Sequence, residues 1–207
     1  MSRNLALALV LLAVAAVIVG HVRRRGPRRF DSDRIAAAET RMWQAYYSGD
    51  SATLGRELVA LLRGQFGLSS RNAMEVGKDL ARATLAFQSL GGDYERHVLP
   101  PLERAYARLK AATDGAWDPA AAAHAELDWW VARRTPGRDS PQHVGRAIAR
   151  LYTILYGESN ADIERAGLLR AQAAHLRDAS ARAGKGCDWN EVQRILEESY
   201  RSLRQGL

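Results

Sequence analysis

Apolar residues recur at helical spacing through most of the chain. In 144–155 they follow one another at i, i+4, i+7 and i+11, and similar series run through 76–90 and 189–203. No stretch alternates apolar and polar residues with period two while also being rich in β-branched residues, as a half-buried strand would. The pattern therefore predicts an all-α fold.

Turn and cap residues divide this pattern into separate helices. Asp118 before Pro119 and Ser140 before Pro141 combine an N-cap side chain with a proline that preorganises the first turn. Pro100 and Pro101 must kink or split the helix that contains them. We predict a bundle of about seven to eight helices. Their expected ranges are 33–48, 51–66, 69 or 70 to 90, 93–113, 119–134, 141–156, 161–183 and 188–205.

A distant resemblance within the chain suggests a duplicated unit of three helices. The segment that begins Val76-Gly77-Lys78 resembles the one that begins Val144-Gly145-Arg146. The third to fifth predicted helices would then correspond to the sixth to eighth. Helices rich in alanine and arginine also look alike by chance, so both interpretations stay open.

The N-terminal segment has the composition of a membrane anchor. Residues 5–22 are an apolar run of mainly Leu, Ala, Val and Ile in which His21 is the only ionisable side chain. At about 1.5 Å per residue, this run nearly spans a hydrocarbon core of about 30 Å. Arg3 and Arg23 can extend to the two interfaces. We expect one transmembrane helix over 5–22, after a short tail over 1–4.

The charges on either side of this run indicate its orientation. Only Arg3 precedes the run, whereas five arginines follow it, and clustered arginines resist translocation. They are Arg23, Arg24, Arg25, Arg28 and Arg29. This asymmetry disfavours the competing interpretation, a cleaved signal peptide. We expect a single-pass protein of the inner (cytoplasmic) membrane, with its N-terminus outside, its C-terminal domain in the cytoplasm and the arginines against lipid headgroups.

Almost all of the net positive charge of the chain lies in its first 30 residues. The chain carries +7, but 1–30 hold six arginines and no acid, whereas 31–207 hold 24 bases and 23 acids. A nearly neutral body lacks the cation excess with which proteins displace phosphate counterions. We therefore expect no nucleic-acid partner. The predicted organisation is a basic linker over 23–32 and one helical domain over 33–207.

Two glutamates and an arginine are the candidate polar site. Glu39 lies on the same helix stripe as Ile35 and Met42, where an apolar residue is expected, so it needs a partner such as an arginine of another helix or a tyrosine hydroxyl. Glu126 and Arg133 lie on one side of a tryptophan-containing helix. The three side chains would form a pocket for a small ligand. The alternative is that they are structural ion pairs within the core.

Other catalytic chemistry finds little support in the sequence. No Glu-x-x-His pair of a di-iron bundle occurs, and no two histidines share a helix face at ligand spacing, so we predict no metal site and no cofactor. Cys187 is the only cysteine and has no histidine near it in sequence.

Two functional hypotheses remain. The first is a membrane-anchored interaction or assembly module, with the lipid bilayer and a protein partner or a second copy of the chain as its contacts. The alternative is a ligand- or metal-binding helical-bundle enzyme with a buried carboxylate/arginine pocket.

Overall fold

The computed structural model describes residues 29–207, which contain nine α-helices and no β-strand. The helices are α1 (Ser32–Ser48), α2 (Ser51–Phe66), α3 (Ser70–Ser89), α4 (Tyr94–His97), α5 (Leu99–Thr113), α6 (Pro119–Arg134), α7 (Pro141–Tyr156), α8 (Ala161–Arg182) and α9 (Trp189–Gln205). The prediction of an all-α helical bundle is confirmed.

The predicted tail and anchor, 1–22, and the linker residues up to 28 lie outside the described residues. Within 29–207, no helix combines the length and the apolar character needed to cross a membrane.

Seven of the nine described helices begin where the sequence supplies a capping side chain, the exceptions being α4 and α5. Asp118 accepts hydrogen bonds from the backbone N–H groups of residues 120 and 121, and Ser140 accepts one from that of residue 143. Asp188 does the same for residues 190 and 191 at the start of α9. Each cap satisfies donors that the helix itself leaves unpaired and contributes about 1 kcal/mol.

The two adjacent prolines divide one predicted helix into two. The region expected as 93–113 forms the single turn α4 and the longer α5, which meet at Val98. Pro100 and Pro101 then lie in the first turn of α5, where the missing N–H groups would have no helical acceptor. The split that the sequence allowed is thus the observed one.

Eight of the helices form a closed ring. Each long helix packs against the next one along the chain, with α5 following α3, and α9 returns to pack against α1. The apolar core fills the interior of this ring. The order of contacts places α3 and α8 on opposite sides, because three helices lie between them in either direction.

Candidate functional site

Glu39 on α1 is fully buried, with 0% of its surface exposed. Its Oε1 accepts hydrogen bonds from Nε and Nη2 of Arg170 on α8, at 3.0 and 2.6 Å. Its Oε2 accepts one from the Tyr200 hydroxyl on α9, at 2.6 Å. The expectation that an arginine of another helix or a tyrosine hydroxyl satisfies Glu39 is confirmed, since both do.

Arg170 connects this carboxylate to the rest of the interior. Its side chain is 16% exposed, and its guanidinium lies 5.2 Å from the ring centre of Trp129 on α6. Burial alone would lower the pKa of Arg170, but Glu39, helped by Glu126, holds that pKa well above its usual range. Arg170 is therefore a permanent buried cation.

Glu126 on α6 faces the same arginine from another side. Its Oε2 accepts a hydrogen bond from the Tyr106 hydroxyl and its Oε1 accepts one from Nε1 of Trp130, both at 2.9 Å. Burial, reinforced by the Glu126 charge, raises the pKa of Tyr106 well above its usual range, so this hydroxyl stays a donor. Glu39 and Glu126 thus both act on Arg170. We call these side chains the central cluster, together with Tyr200, Tyr106, Tyr152 and Trp129.

Two polar atoms of the central cluster lack hydrogen bonds. Among the described residues, the Tyr152 hydroxyl and Nε1 of Trp129 are buried without a hydrogen-bond partner. Burial raises the pKa of Tyr152 to about 12, and Arg170 is near enough to oppose that rise without being in hydrogen-bond geometry. These two atoms are therefore the buried groups of the cluster that a further hydrogen-bonding partner would satisfy.

Arg133 does not join the two glutamates. It lies near the end of α6, where its Nε and Nη2 donate to the Asp178 carboxylate on α8 at 2.8 and 2.9 Å. Nη2 also donates to the Tyr47 hydroxyl at 2.7 Å. Arg133 is two helical turns beyond Glu126, near the C-terminal end of α6, and is too far along the helix to contact the two glutamates. Arg170 takes the position beside them.

A second cluster of polar side chains surrounds Arg133 near the C-terminal end of α6. The Arg177 guanidinium lies 3.1 Å from the ring centre of Tyr47 and also contacts Asp178. Burial would raise the pKa of Asp178, but Arg133 and Arg177 outweigh it and lower that pKa. The cavity beside Arg133, Asp178 and His175 has a volume of about 10 Å³, which holds about one water molecule.

The structure also bears on the other candidates for chemistry. Burial raises the pKa of the Cys187 thiol, which disfavours the thiolate that a nucleophile needs. Within 29–207, no three His, Cys, Asp or Glu side chains come together as a metal site would require.

Sequence reasoning identified Glu39 but missed Arg170. A signal for Arg170 is present in the sequence, because the residues three and four positions away on both sides are all alanine or glycine. The structure buries all four. They are Ala166, Gly167, Ala173 and Ala174. An arginine in the middle of such a face has to enter the core, where it needs a carboxylate.

Comparisons of the chain with protein-family models, with curated proteins and with solved structures found no match. Function must therefore be inferred from the residues and their geometry.

Proposed function

We propose that the chain is a membrane-tethered helical interaction module on the cytoplasmic face of an inner membrane. The observation that carries this proposal is the way the central cluster uses its carboxylates. Both oxygens of Glu39 and both oxygens of Glu126 accept hydrogen bonds from side chains of the chain itself. Carboxylates bound in this way stabilise a fold, whereas general acid–base catalysis needs a carboxyl within reach of a substrate proton. The surface of the ring is then what remains for contacts with partners.

The tether is supported by the N-terminal sequence. The apolar run 5–22 nearly spans a hydrocarbon core, and Arg3 and Arg23 can extend to the two interfaces. The five arginines that follow it favour a cytoplasmic location for the rest of the chain. The near-neutral charge of the helical body gives no sign of a nucleic-acid ligand.

Fractionation of bacterial cells that express the chain tests the tether. We expect the full chain to stay in the membrane pellet after an alkaline carbonate wash and to be released by detergent. A variant without 1–28 should move to the soluble fraction. This deletion leaves Phe30 in place, which packs edge-on against Tyr200 and belongs to the folded body.

Two controls make the result specific. Replacing the five arginines at 23–29 by glutamine keeps the apolar run, so the chain should stay in the pellet but lose its single orientation in protease-protection assays. A full chain in the soluble fraction, or a carbonate-resistant deletion variant, contradicts the tether. A mass measurement in detergent separates self-association from binding to another protein.

The second candidate function is binding of a small ligand at the central cluster. The observation that favours it is the pair of buried polar atoms without partners, the Tyr152 hydroxyl and Nε1 of Trp129. A ligand that hydrogen-bonds Tyr152 would make Tyr152→Phe destabilising in the chain as purified. Without such a ligand, the substitution removes a polar group that forms no hydrogen bond and should be neutral.

A further inference from the structure

The outward face of α3 combines cations with exposed apolar side chains. Arg71, Met74, Lys78, Arg82 and Leu85 fall within an arc of about 80° around the helix axis, at about 100° per residue. Met74 is 51% exposed and Leu85 is 64% exposed. They are the only large apolar side chains so exposed within the described part of the chain. The two most exposed large apolar side chains of the described residues thus lie on one face of one helix.

Next to this face, three arginines converge on one buried carboxylate. Asp79 has only 3% of its side chain exposed, and it accepts from Arg82 at 3.2 Å, Arg104 at 3.5 Å and Arg108 at 2.9 Å. A single arginine would neutralise Asp79, so the other two cations exceed what the fold needs. The arginine side chains are 67%, 52% and 52% exposed, and each carries five N–H donors, so most of their donor capacity faces outward.

The neighbouring carboxylate confirms that these cations form one surface. The pKa of Glu75 is lowered first by Lys78, which donates to it at 2.8 Å, and further by Arg108 and Arg71. We call this surface the α3–α5 face. Its five cations are Arg71, Lys78, Arg82, Arg104 and Arg108; its two carboxylates are Glu75 and Asp79; and its two apolar residues are Met74 and Leu85. Five cations against two carboxylates give this face a net charge of +3, whereas 31–207 as a whole, with 24 bases and 23 acids, carry +1.

We propose that the α3–α5 face docks onto the anionic phospholipid surface of the membrane to which the chain is tethered. Lysine and arginine bind lipid phosphates while apolar side chains between them enter the acyl boundary, and this face offers both. A nucleic acid would use the cations but would give Met74 and Leu85 no apolar environment. The lipid surface is therefore the partner that accounts for both sets of side chains.

The inference rests on the proposed tether for its proximity to the bilayer. Nine residues, 23–31, connect the apolar run to α1, and at about 3.3–3.6 Å each they span at most about 30 Å. A body held within this distance meets the headgroups at a high effective concentration, so weak contacts are enough to hold it there.

A reporter on α3 tests the docking in the full chain. In a Cys187→Ser background, an environment-sensitive fluorophore is attached at Ala81→Cys, an exposed position of α3 that lies about 20° from Met74 around the helix axis. The matched reporter is at Glu164→Cys, which is exposed on α8 on the opposite side of the ring. With phosphatidylcholine vesicles containing phosphatidylglycerol, we expect a blue shift at position 81 and none at position 164. The shift should be absent in phosphatidylcholine alone and should be reversed by 1 M salt, which shortens the screening length to about 3 Å.

A charge variant shows whether the cations cause the shift. Arg71→Gln with Lys78→Gln leaves the three arginines of Asp79 intact and should lower the ratio of docked to undocked chain about 30-fold, or about fivefold per charge. The control variant, Arg165→Gln with Arg204→Gln, removes two exposed cations from α8 and α9 and should change nothing.

The remaining outcomes overturn the docking proposal. They are no shift at position 81 with anionic vesicles, equal shifts at 81 and 164, the same response in both charge variants, and a shift with RNA or polyglutamate but not with vesicles. Flotation tests the tether separately. If the full chain does not float with neutral vesicles after a carbonate wash, the tether proposal fails. If the tether fails, the reporter still measures docking when anionic vesicles are added to the chain in solution.

Discussion

Two buried tyrosines of the central cluster differ in what their hydroxyl groups contact. The Tyr200 hydroxyl donates to Glu39 at 2.6 Å, whereas the Tyr152 hydroxyl has no hydrogen-bond partner. A hydrogen bond to a charged group contributes about 1.5–3 kcal/mol, so Tyr200→Phe should lower the free energy of unfolding by about this amount at pH 7. Tyr152→Phe should change it by less than about 0.5 kcal/mol, because the hydroxyl it removes forms no hydrogen bond. Urea unfolding of the full chain in detergent measures both.

Alkaline pH should make Tyr152→Phe more stable than the unmodified chain, although the two are nearly equal at pH 7. Burial raises the pKa of Tyr152 to about 12, whereas an unfolded tyrosine titrates near pH 10. The stability that this group contributes is complete below about pH 10 and is lost as the pH rises towards 12, because the unfolded chain releases the proton first. At pH 11, Tyr152→Phe should be more stable than the unmodified chain by about 1 kcal/mol. A large loss of stability in this variant at pH 7 would instead point to a ligand on the hydroxyl.

At the residue scale, the sequence could show that Glu39 is a buried carboxylate, but not which residue pairs with it. Glu39 interrupts an apolar stripe, so its need for a partner is visible in the sequence. Its partner is 131 positions away. The small residues around Arg170 indicate a buried arginine, but only the packing of α8 against α9 and of α9 against α1 brings that arginine to Glu39. Arg133 was an equally reasonable choice from helix periodicity, but Asp178 meets it at the other end of the ring.

At the scale of elements, α7 and α8 approach each other through a pair of glycines. A Cβ atom added at Gly167 would lie 2.4 Å from the carbonyl oxygen of Gly145 and 2.8 Å from the backbone nitrogen of Ala149. Backbone atoms cannot yield without moving the helices, and overpacking of this kind costs about 1–3 kcal/mol. The better helix propensity of alanine offsets at most about 1 kcal/mol. Gly167→Ala should therefore lower the free energy of unfolding by about 1–2 kcal/mol, measured by chemical denaturation.

Gly55 on α2 is the matched control for this substitution. It also lies within a helix, but a Cβ atom there would meet nothing within 4 Å. Gly55→Ala should raise the stability by about 0.5–1 kcal/mol. If Gly167→Ala raised the free energy of unfolding as much as Gly55→Ala, helix propensity alone would account for both changes. The close approach of α7 and α8 would then not make alanine at position 167 unfavourable.

Helix positions were more predictable than helix neighbours. Caps and prolines are local signals, and they correctly located α6, α7 and α9. The suggested duplication requires corresponding helices to pack against corresponding neighbours. The two glycines that it pairs, Gly77 and Gly145, pack against helices that do not correspond. Gly77 faces Leu58 of the preceding helix, whereas Gly145 faces the helix that follows. Local likeness between the two segments therefore does not extend to how they pack.

At the scale of the whole molecule, the closure of the ring is what the sequence could not show. Each helix packs against its neighbour in sequence, which is also true of open helical arrays. Closure comes from contacts between the two ends of the described chain: Ser32 donates to the backbone carbonyl of Tyr200 at 3.2 Å, and Arg201 pairs with Asp33 at 2.9 Å. No periodicity or cap encodes contacts over such a separation.

A closed ring should unfold as one unit, whereas an open array can lose its last helices separately. Leu196 is fully buried on α9, and Leu196→Ala should cost about 2–5 kcal/mol. If the contact of α9 with α1 couples the ends, this change will reduce the hydrogen-exchange protection of the most stable amides in α3 and α5 by the same factor as in α8 and α9. Leu85→Ala, at an exposed position on α3, should leave protection unchanged. A loss confined to α8, α9 and α1 would mean that the molecule behaves as an open array, in which the far side of the ring does not depend on its closure.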